Sequence, residues 1–270
     1  MAMSRQGTAY DLTGPAGAPV VVLIHGLGLT RASTWGTIAP ALAENFQVLT
    51  YDLLGHGQTV LPQGDVSLSA LAEQLVGLLD DCGINQAAMV GFSLGGMINR
   101  RLAIDYPKLV LALVILNSPH KRTTEAQKLV EARANDTGTG GPAANLDETI
   151  ARWFTDAYIR DHRSAVASVR DVILSNNPGN YAAHRRVLAK GVIELICPDP
   201  PITQPTLVMT CENDSGSTPA MAHAIASEIV GAKTSIVPTL QHLGLIERPR
   251  LFIETVQDFL IQTLTVEQTI

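Results

Sequence analysis

The sequence predicts an α/β protein: a mostly parallel, twisted sheet covered by helices on both faces, with an inserted helical cap. Three observations lead there. Short apolar runs alternate with segments of helical period before residue 117 and again after residue 205. Between them, from Lys121 to Pro200, amphipathic segments follow one another with no long β-branched run. Finally, Gly91-Phe92-Ser93-Leu94-Gly95-Gly96 sits where an apolar run gives way to a helical one.

The elements follow in order. Val20–Ile24 is a continuous β-branched run, the pattern of a strand buried on both faces, and it ends at His25-Gly26. Residues 38–44 read as helical, and Gln47–Tyr51 is a second strand ending at Asp52-Leu53-Leu54-Gly55-His56-Gly57. Residues 68–82 place Leu68, Leu71, Leu75, Leu78 and Leu79 at helical spacing. Residues 87–90 form the strand before the glycine-rich run, residues 97–104 a helix after it, and Val110–Leu116 another strand ending at Asn117. In the middle block, helices are expected over 125–134, 146–158, 164–175 and 180–190, with a flexible break over 136–142, where Gly138, Gly140 and Gly141 cluster. Alternation then resumes: strand 206–210, helix 219–230, strand 234–237 and helix 250–264. The expected division is a core of residues 1–120 and 205–270 with a helical cap of residues 121–204 over the carboxyl ends of the strands, where such sheets bind ligands.

Bulk properties narrow the function. With 270 residues, 46% apolar and 16% charged, the chain is long enough and apolar enough to bury a sizeable core. A net charge of −6 without a basic stripe argues against nucleic acid and anionic membranes as partners. No apolar stretch has transmembrane length, and Met1–Tyr10 lacks the charged-then-apolar layout of an export signal, so a cytoplasmic protein, monomer or homodimer, is expected. Cys82, Cys197 and Cys211 are odd in number and widely spaced, which fits reduced thiols rather than a disulfide framework or a CxxC metal site.

The chemistry centres on Ser93. Gly-x-Ser-x-Gly at a strand-to-helix turn holds a serine strained and exposed at the carboxyl edge of a sheet, which suits a covalent nucleophile. A serine hydroxyl needs a base, the base needs a buried carboxylate, and the developing oxyanion needs backbone donors. Asp214 follows the strand 206–210 and stands at the same sheet edge as Ser93; Glu212 is its nearest competitor. Val110–Leu116 ends in Asn117, so no carboxylate stands there. His242 follows the strand 234–237 at that edge and is the candidate base. A lone histidine is usually structural, but Ser93, Asp214 and His242 fall in the chain order expected of one hydrolase architecture. His25 and His56 lie in glycine-flanked turns and are read as loop-shaping. His120, His162 and His184 lie near or inside the helical block and are candidates to line a pocket. The Leu94 amide, at a helix N-terminus, and the Leu27 amide, in His25-Gly26-Leu27-Gly28, are the candidate oxyanion donors.

With these residues in place, the chain resembles the α/β-hydrolase superfamily over nearly its whole length. The resemblance rests on the His25-Gly26 loop, Asp52 to Gly57, the elbow, Cys211-Glu212-Asn213-Asp214 and His242. It departs at Cys211, where a glycine is usual. Within the superfamily it looks most like the small capped esterases and lactonases that include 3-oxoadipate enol-lactonase. The similar stretches are Leu116-Asn117-Ser118, Pro178 to Ala183 and Gln241 to Leu245. The resemblance implies hydrolysis of a small-molecule ester or lactone through an acyl-enzyme, with no metal or organic cofactor. A serine rather than an aspartate at the elbow argues against dehalogenase and epoxide hydrolase chemistry. Carbon–carbon or amide hydrolysis, perhydrolysis and a non-catalytic small-molecule receptor are the alternatives.

Substrate polarity is the last expectation. His120 and Trp153 are candidate substrate contacts. One or two of Lys121, Arg122, Arg163, Arg185 and Arg186 are candidates to pair with a substrate carboxylate, as a dicarboxylic lactone would require, but a solvated helix face is the preferred reading, and Leu27, Leu94 and Leu243 suggest an apolar pocket wall.

Overall fold

The computed structural model describes residues 1–264. Its elements are β1 (Ala2–Met3), β2 (Ala9–Thr13), β3 (Val20–Ile24), α1 (Arg31–Trp35), α2 (Ile38–Leu42), β4 (Gln47–Tyr51), α3 (Leu68–Asp81), β5 (Ala87–Phe92), α4 (Leu94–Asp105) and β6 (Val110–Leu116). A helical insertion follows: α5 (Thr124–Gly140), α6 (Leu146–Trp153), α7 (Asp156–Asp161), α8 (Arg163–Leu174) and α9 (Pro178–Lys190). The chain then completes the sheet with β7 (Thr206–Cys211), α10 (Pro219–Ser227), β8 (Lys233–Val237), α11 (Gly244–Glu247) and α12 (Pro249–Leu264).

The eight strands form one sheet in the order β1-β2-β4-β3-β5-β6-β7-β8. From β4 to β8 every pairing is parallel. The central strand β5 is buried at all six residues, because β3 and β6 flank it and helices cover both faces. A strand so placed has no solvent side, which is why it reads as an unbroken apolar run. The chain steps from β3 outward to β4 and returns to pair β5 against the other edge of β3. That reversal opens a crevice at the carboxyl ends of β3 and β5, where parallel sheets of this kind bind ligands. No helix among the described residues is long and apolar enough to cross a membrane.

Three expectations need correction. The sequence reading started the sheet at Val20, but β1 and β2 extend it antiparallel along β4. Ala9–Thr13 carries no β-branched run, and its strand character comes from its pairing with β4. The expected break over 136–142 lies later. Helix α5 runs through Gly138 and Gly140 and stops at Gly141, which takes φ +62°. Each glycine costs a helix about 1 kcal/mol, and here the helix survives because it packs along α9. Lastly, the segment 146–158 is two helices. Phe154 is extended, and the Thr155 hydroxyl accepts the Tyr158 N–H to start α7 afresh.

The insertion meets the sheet through three buried histidines. The His184 ring on α9 lies 4.6 Å from that of His56, which lies 5.4 Å from that of His25. The Nε2 atoms of His25 and His56 accept backbone N–H bonds from Leu53 (2.9 Å) and Gly28 (3.1 Å). Each Nδ1 faces a backbone carbonyl and therefore carries the proton. His184 Nε2 is buried with no partner. All three rings are thus held neutral: burial pushes His25 down, His56 well down and His184 to about 4. Asp52 beside His25 works in the opposite direction.

The consequence for stability has a definite sign. Below the ordinary value of 6.5 the unfolded chain takes up protons that the folded rings refuse, so this stability is complete above 6.5 and is lost as pH falls toward 4. His184 alone should account for roughly 2 kcal/mol between neutral pH and about pH 5. Urea unfolding at those two pH values checks this, and His184→Phe should show a smaller difference.

Candidate active site

β5 delivers the chain to Ser93, whose φ of 55° and ψ of −112° lie outside the regions that side-chain-bearing residues favour. The turn closes because Ser93 N–H donates to Leu116 O (2.8 Å) and Gly96 N–H to Ser93 O (3.0 Å). Glycine is needed twice. A Cβ on Gly91 would overlap the Gly95 carbonyl, and one on Gly95 would overlap the Ile24 carbonyl. The strained turn therefore packs directly on the end of β3, and Ser93 points into the crevice.

The structure brings Ser93, His242 and Asp214 together from three strand ends. His242 Nε2 lies 3.1 Å from Ser93 Oγ, and His242 Nδ1 lies 2.7 Å from Asp214 Oδ2. The carboxylate only accepts, so it fixes the proton on Nδ1 and leaves the Nε2 lone pair to accept the serine hydroxyl. Asp214 is 2% exposed. Burial alone would raise its pKa, but the adjacent His242, the Asn117 amide and the Gly216 N–H outweigh burial and hold it below the usual carboxylate value. Its Oδ2 also accepts from Asn117 Nδ2 (2.9 Å), and its Oδ1 accepts from the amides of Gly216 (2.9 Å) and Ser217 (3.0 Å). Glu212, the competing acid, instead accepts the Thr239 N–H (2.8 Å) and shapes the turn that leads to His242.

Asn117 is a part that sequence reasoning missed. In the sequence it marks the absence of a carboxylate after β6 and forms part of a stretch similar to the lactonases, with no role of its own. Because β6 and β7 are neighbours, its amide reaches the acid at the end of β7.

Leu27, which follows β3, lines the cavity with Ser93, and Leu94 directly follows the serine at the first position of α4. Neither amide has an acceptor among the described residues. Two N–H groups without acceptors beside a serine hydroxyl are what a developing oxyanion requires.

A cavity of about 140 Å³ opens on Ser93 and His242. Trp153 and Leu27 line it, with Trp153 5.7 Å ring to ring from His242. The insertion is stitched to the histidine loop here: Leu243 N–H donates to Trp153 O (2.8 Å), and Glu247 accepts from both the N–H and the hydroxyl of Thr155 (2.8 and 2.7 Å). His120 does not reach the cavity. Its Nε2 turns to Glu228 Oε1 (2.9 Å), because the end of α10 offers a carboxylate on that side. The wall is in large part apolar, with Leu27, Leu129, Val130 and Leu188 in it, though Leu94 and Leu243 do not line it; the reading of the arginines as a solvated face is what needs correction. Arg122 and Arg185 line the cavity, together with Arg133 and Arg152, which sequence reasoning did not single out; Lys121, Arg163 and Arg186 are exposed as expected.

Comparison with known proteins agrees with this architecture. A family model described as "alpha/beta hydrolase fold" matches residues 19–249. The chain is 27% identical over 248 residues to 3-oxoadipate enol-lactonase 2 of Acinetobacter baylyi, covering 92% of this chain and 91% of that protein. It is 25% identical over 263 residues to an (E)-2-((N-methylformamido)methylene)succinate hydrolase of the same organism, covering 97% of each. Among solved structures, the enol-lactonase of Burkholderia xenovorans superposes with a TM-score of 0.86 at 29% identity, covering 94% of this chain and 96% of that one. Fold, sheet order and family match together establish that this chain is an enzyme belonging to the α/β-hydrolase fold family.

Proposed function

We propose that the chain is a serine hydrolase that cleaves a small-molecule carboxylic ester or lactone through an acyl-enzyme intermediate. The observation that carries this reading is the hydrogen-bonded relay from Ser93 Oγ through His242 to Asp214 at the bottom of a cavity. Ser93 Oγ attacks the carbonyl carbon as His242 Nε2 takes its proton, and Asp214 stabilises the imidazolium. The oxyanion that forms is held by the Leu27 and Leu94 amides. Collapse breaks the bond to the leaving oxygen, which His242 protonates. A water then gives its proton to His242 and attacks the acyl carbon, the acid leaves, and Ser93 regains its proton. The helical insertion acts as a cap that closes the pocket and sets its chemistry. The names of the two relatives, a lactonase and a hydrolase of a small carboxylic acid derivative, support the class of reaction.

The test is covalent labelling with a neutral fluorophosphonate together with turnover of 4-nitrophenyl butyrate. Label located on Ser93 by peptide mapping, and lost in His242→Ala, is the expected result. An unlabelled Ser93 with no ester turnover would remove the reading.

A further inference from the structure

The charge on the cavity wall is out of balance. Arg122 precedes α5, Arg133 lies on α5, Arg152 on α6 and Arg185 on α9, and all four line the cavity above Ser93. Two carboxylates oppose them. Glu148 pairs with Arg133 and lies 3.8 Å from Arg152, and Asp214 is committed to His242. Four guanidinium charges against two carboxylates leave two positive charges uncompensated. Arg122 donates only to neutral acceptors, Gln127 Oε1 and the carbonyls of Leu188 and Ala189. Arg185 is buried and has no hydrogen-bond or ion-pair partner among the described residues. The Nε atoms of Arg133 and Arg152 are likewise buried without an acceptor.

Gathering like charges in a desolvated cavity is unfavourable. The cost shows in Arg122 and Arg152: burial first, then the neighbouring arginines, lower each to about 10. A fold has no reason to retain that arrangement for packing alone, since uncharged side chains would fill the same space. The counter-charge has to come with the ligand.

We infer that the substrate of this site is an ester or lactone that bears two carboxylates besides the scissile carbonyl, anchored chiefly on Arg185 and Arg122. The inference rests on the serine hydrolase reading above. A planar guanidinium and a carboxylate match in bidentate geometry, and such charge-assisted bonds are the strong ones. The unbalanced charges are spread over arginines from separate segments, Arg122 before α5 and Arg185 on α9, which suits two carboxylates better than one compact anion. During acylation a proton moves from Ser93 to His242 while the oxyanion forms, so the cavity keeps its total charge. A dianion therefore balances it in both the ground state and the transition state. Hydrolysis then creates a further carboxylate, which the arginines do not balance, and this excess favours release of the acid.

The test compares 4-nitrophenyl esters of butyrate, glutarate and tricarballylate at neutral pH, whose acyl groups carry no, one and two free carboxylates. In the wild-type enzyme, kcat/KM should rise about tenfold with each carboxylate and the rise should shrink with added salt. Arg185→Gln should reduce the ratio between the tricarballylate and butyrate esters by about tenfold or more, with Arg185→Lys between the two. Arg122→Gln serves as the second variant should Arg185→Gln fail to melt cooperatively. A flat or falling series in a wild-type enzyme that fluorophosphonate labels at Ser93 would overturn the inference and leave the hydrolase reading standing. Inhibition by inorganic phosphate stronger than by tricarballylate would also overturn it. An enzyme that takes no label fails at the earlier reading.

Discussion

Ser93→Ala should lower kcat/KM by about 10⁶-fold while the protein stays folded. The loss is large because the relay acts as a unit: without Oγ, His242 has no proton to take, and what remains is water attacking a carbonyl held by two amides. The fold should tolerate the change. Ser93 is almost fully buried at a backbone angle that alanine meets at similar cost, and the bonds that close the turn are made by its backbone. Kinetics with 4-nitrophenyl butyrate, alongside thermal melting of both proteins, measures the two halves of this expectation. A variant that melts like the wild type and keeps more than about a hundredth of its activity would place the nucleophile elsewhere.

Asp214→Asn comes next in size, with an expected loss of about 10⁴-fold in kcat. Both oxygens of Asp214 accept from donors only: His242 Nδ1 and Asn117 Nδ2 on one side, the Gly216 and Ser217 amides on the other. An asparagine must turn its NH₂ toward one of these sides. If it keeps its oxygen on the two backbone amides, the NH₂ faces His242 Nδ1, which then has to accept. The ring proton moves to Nε2, and the base points a hydrogen at Ser93 instead of a lone pair. If it turns the other way, two buried amides lose their acceptor, at about 1–3 kcal/mol. The variant should therefore be slow and also less stable. Pre-steady-state kinetics and denaturant midpoints separate the two effects, and Asp214→Asn with full activity would show that the carboxylate does not orient the base.

Much of this was legible in the sequence because it is local. The elbow announces itself by a change of period within a few residues, and the strand that leads to Asp214 is a largely apolar, fully buried run, whereas the one that leads to His242, Lys233–Val237, is a short edge strand of mixed character. What was not legible depends on neighbours distant in the chain. Asn117 and Asp214 are 97 positions apart, and only the adjacency of β6 and β7 makes them partners. Ala9–Thr13 becomes a strand because β4 offers it an edge, and α5 passes two glycines because α9 lies along it. The arginines misled for the same reason. Helical spacing tells which residues share a face, but whether that face meets water or a cavity is decided by how the insertion docks, so Arg185 looked like a surface residue and Arg133 and Arg152 drew no notice.

The bonds from Leu243 to Trp153 and from Thr155 to Glu247 join the end of α6 and the residues after it to the segment that directly follows His242. The imidazole is thereby tied to the helical insertion as well as to the sheet, so a substitution that disturbs the end of α6 reaches the general base through Leu243 and Glu247 without touching the serine or the carboxylate.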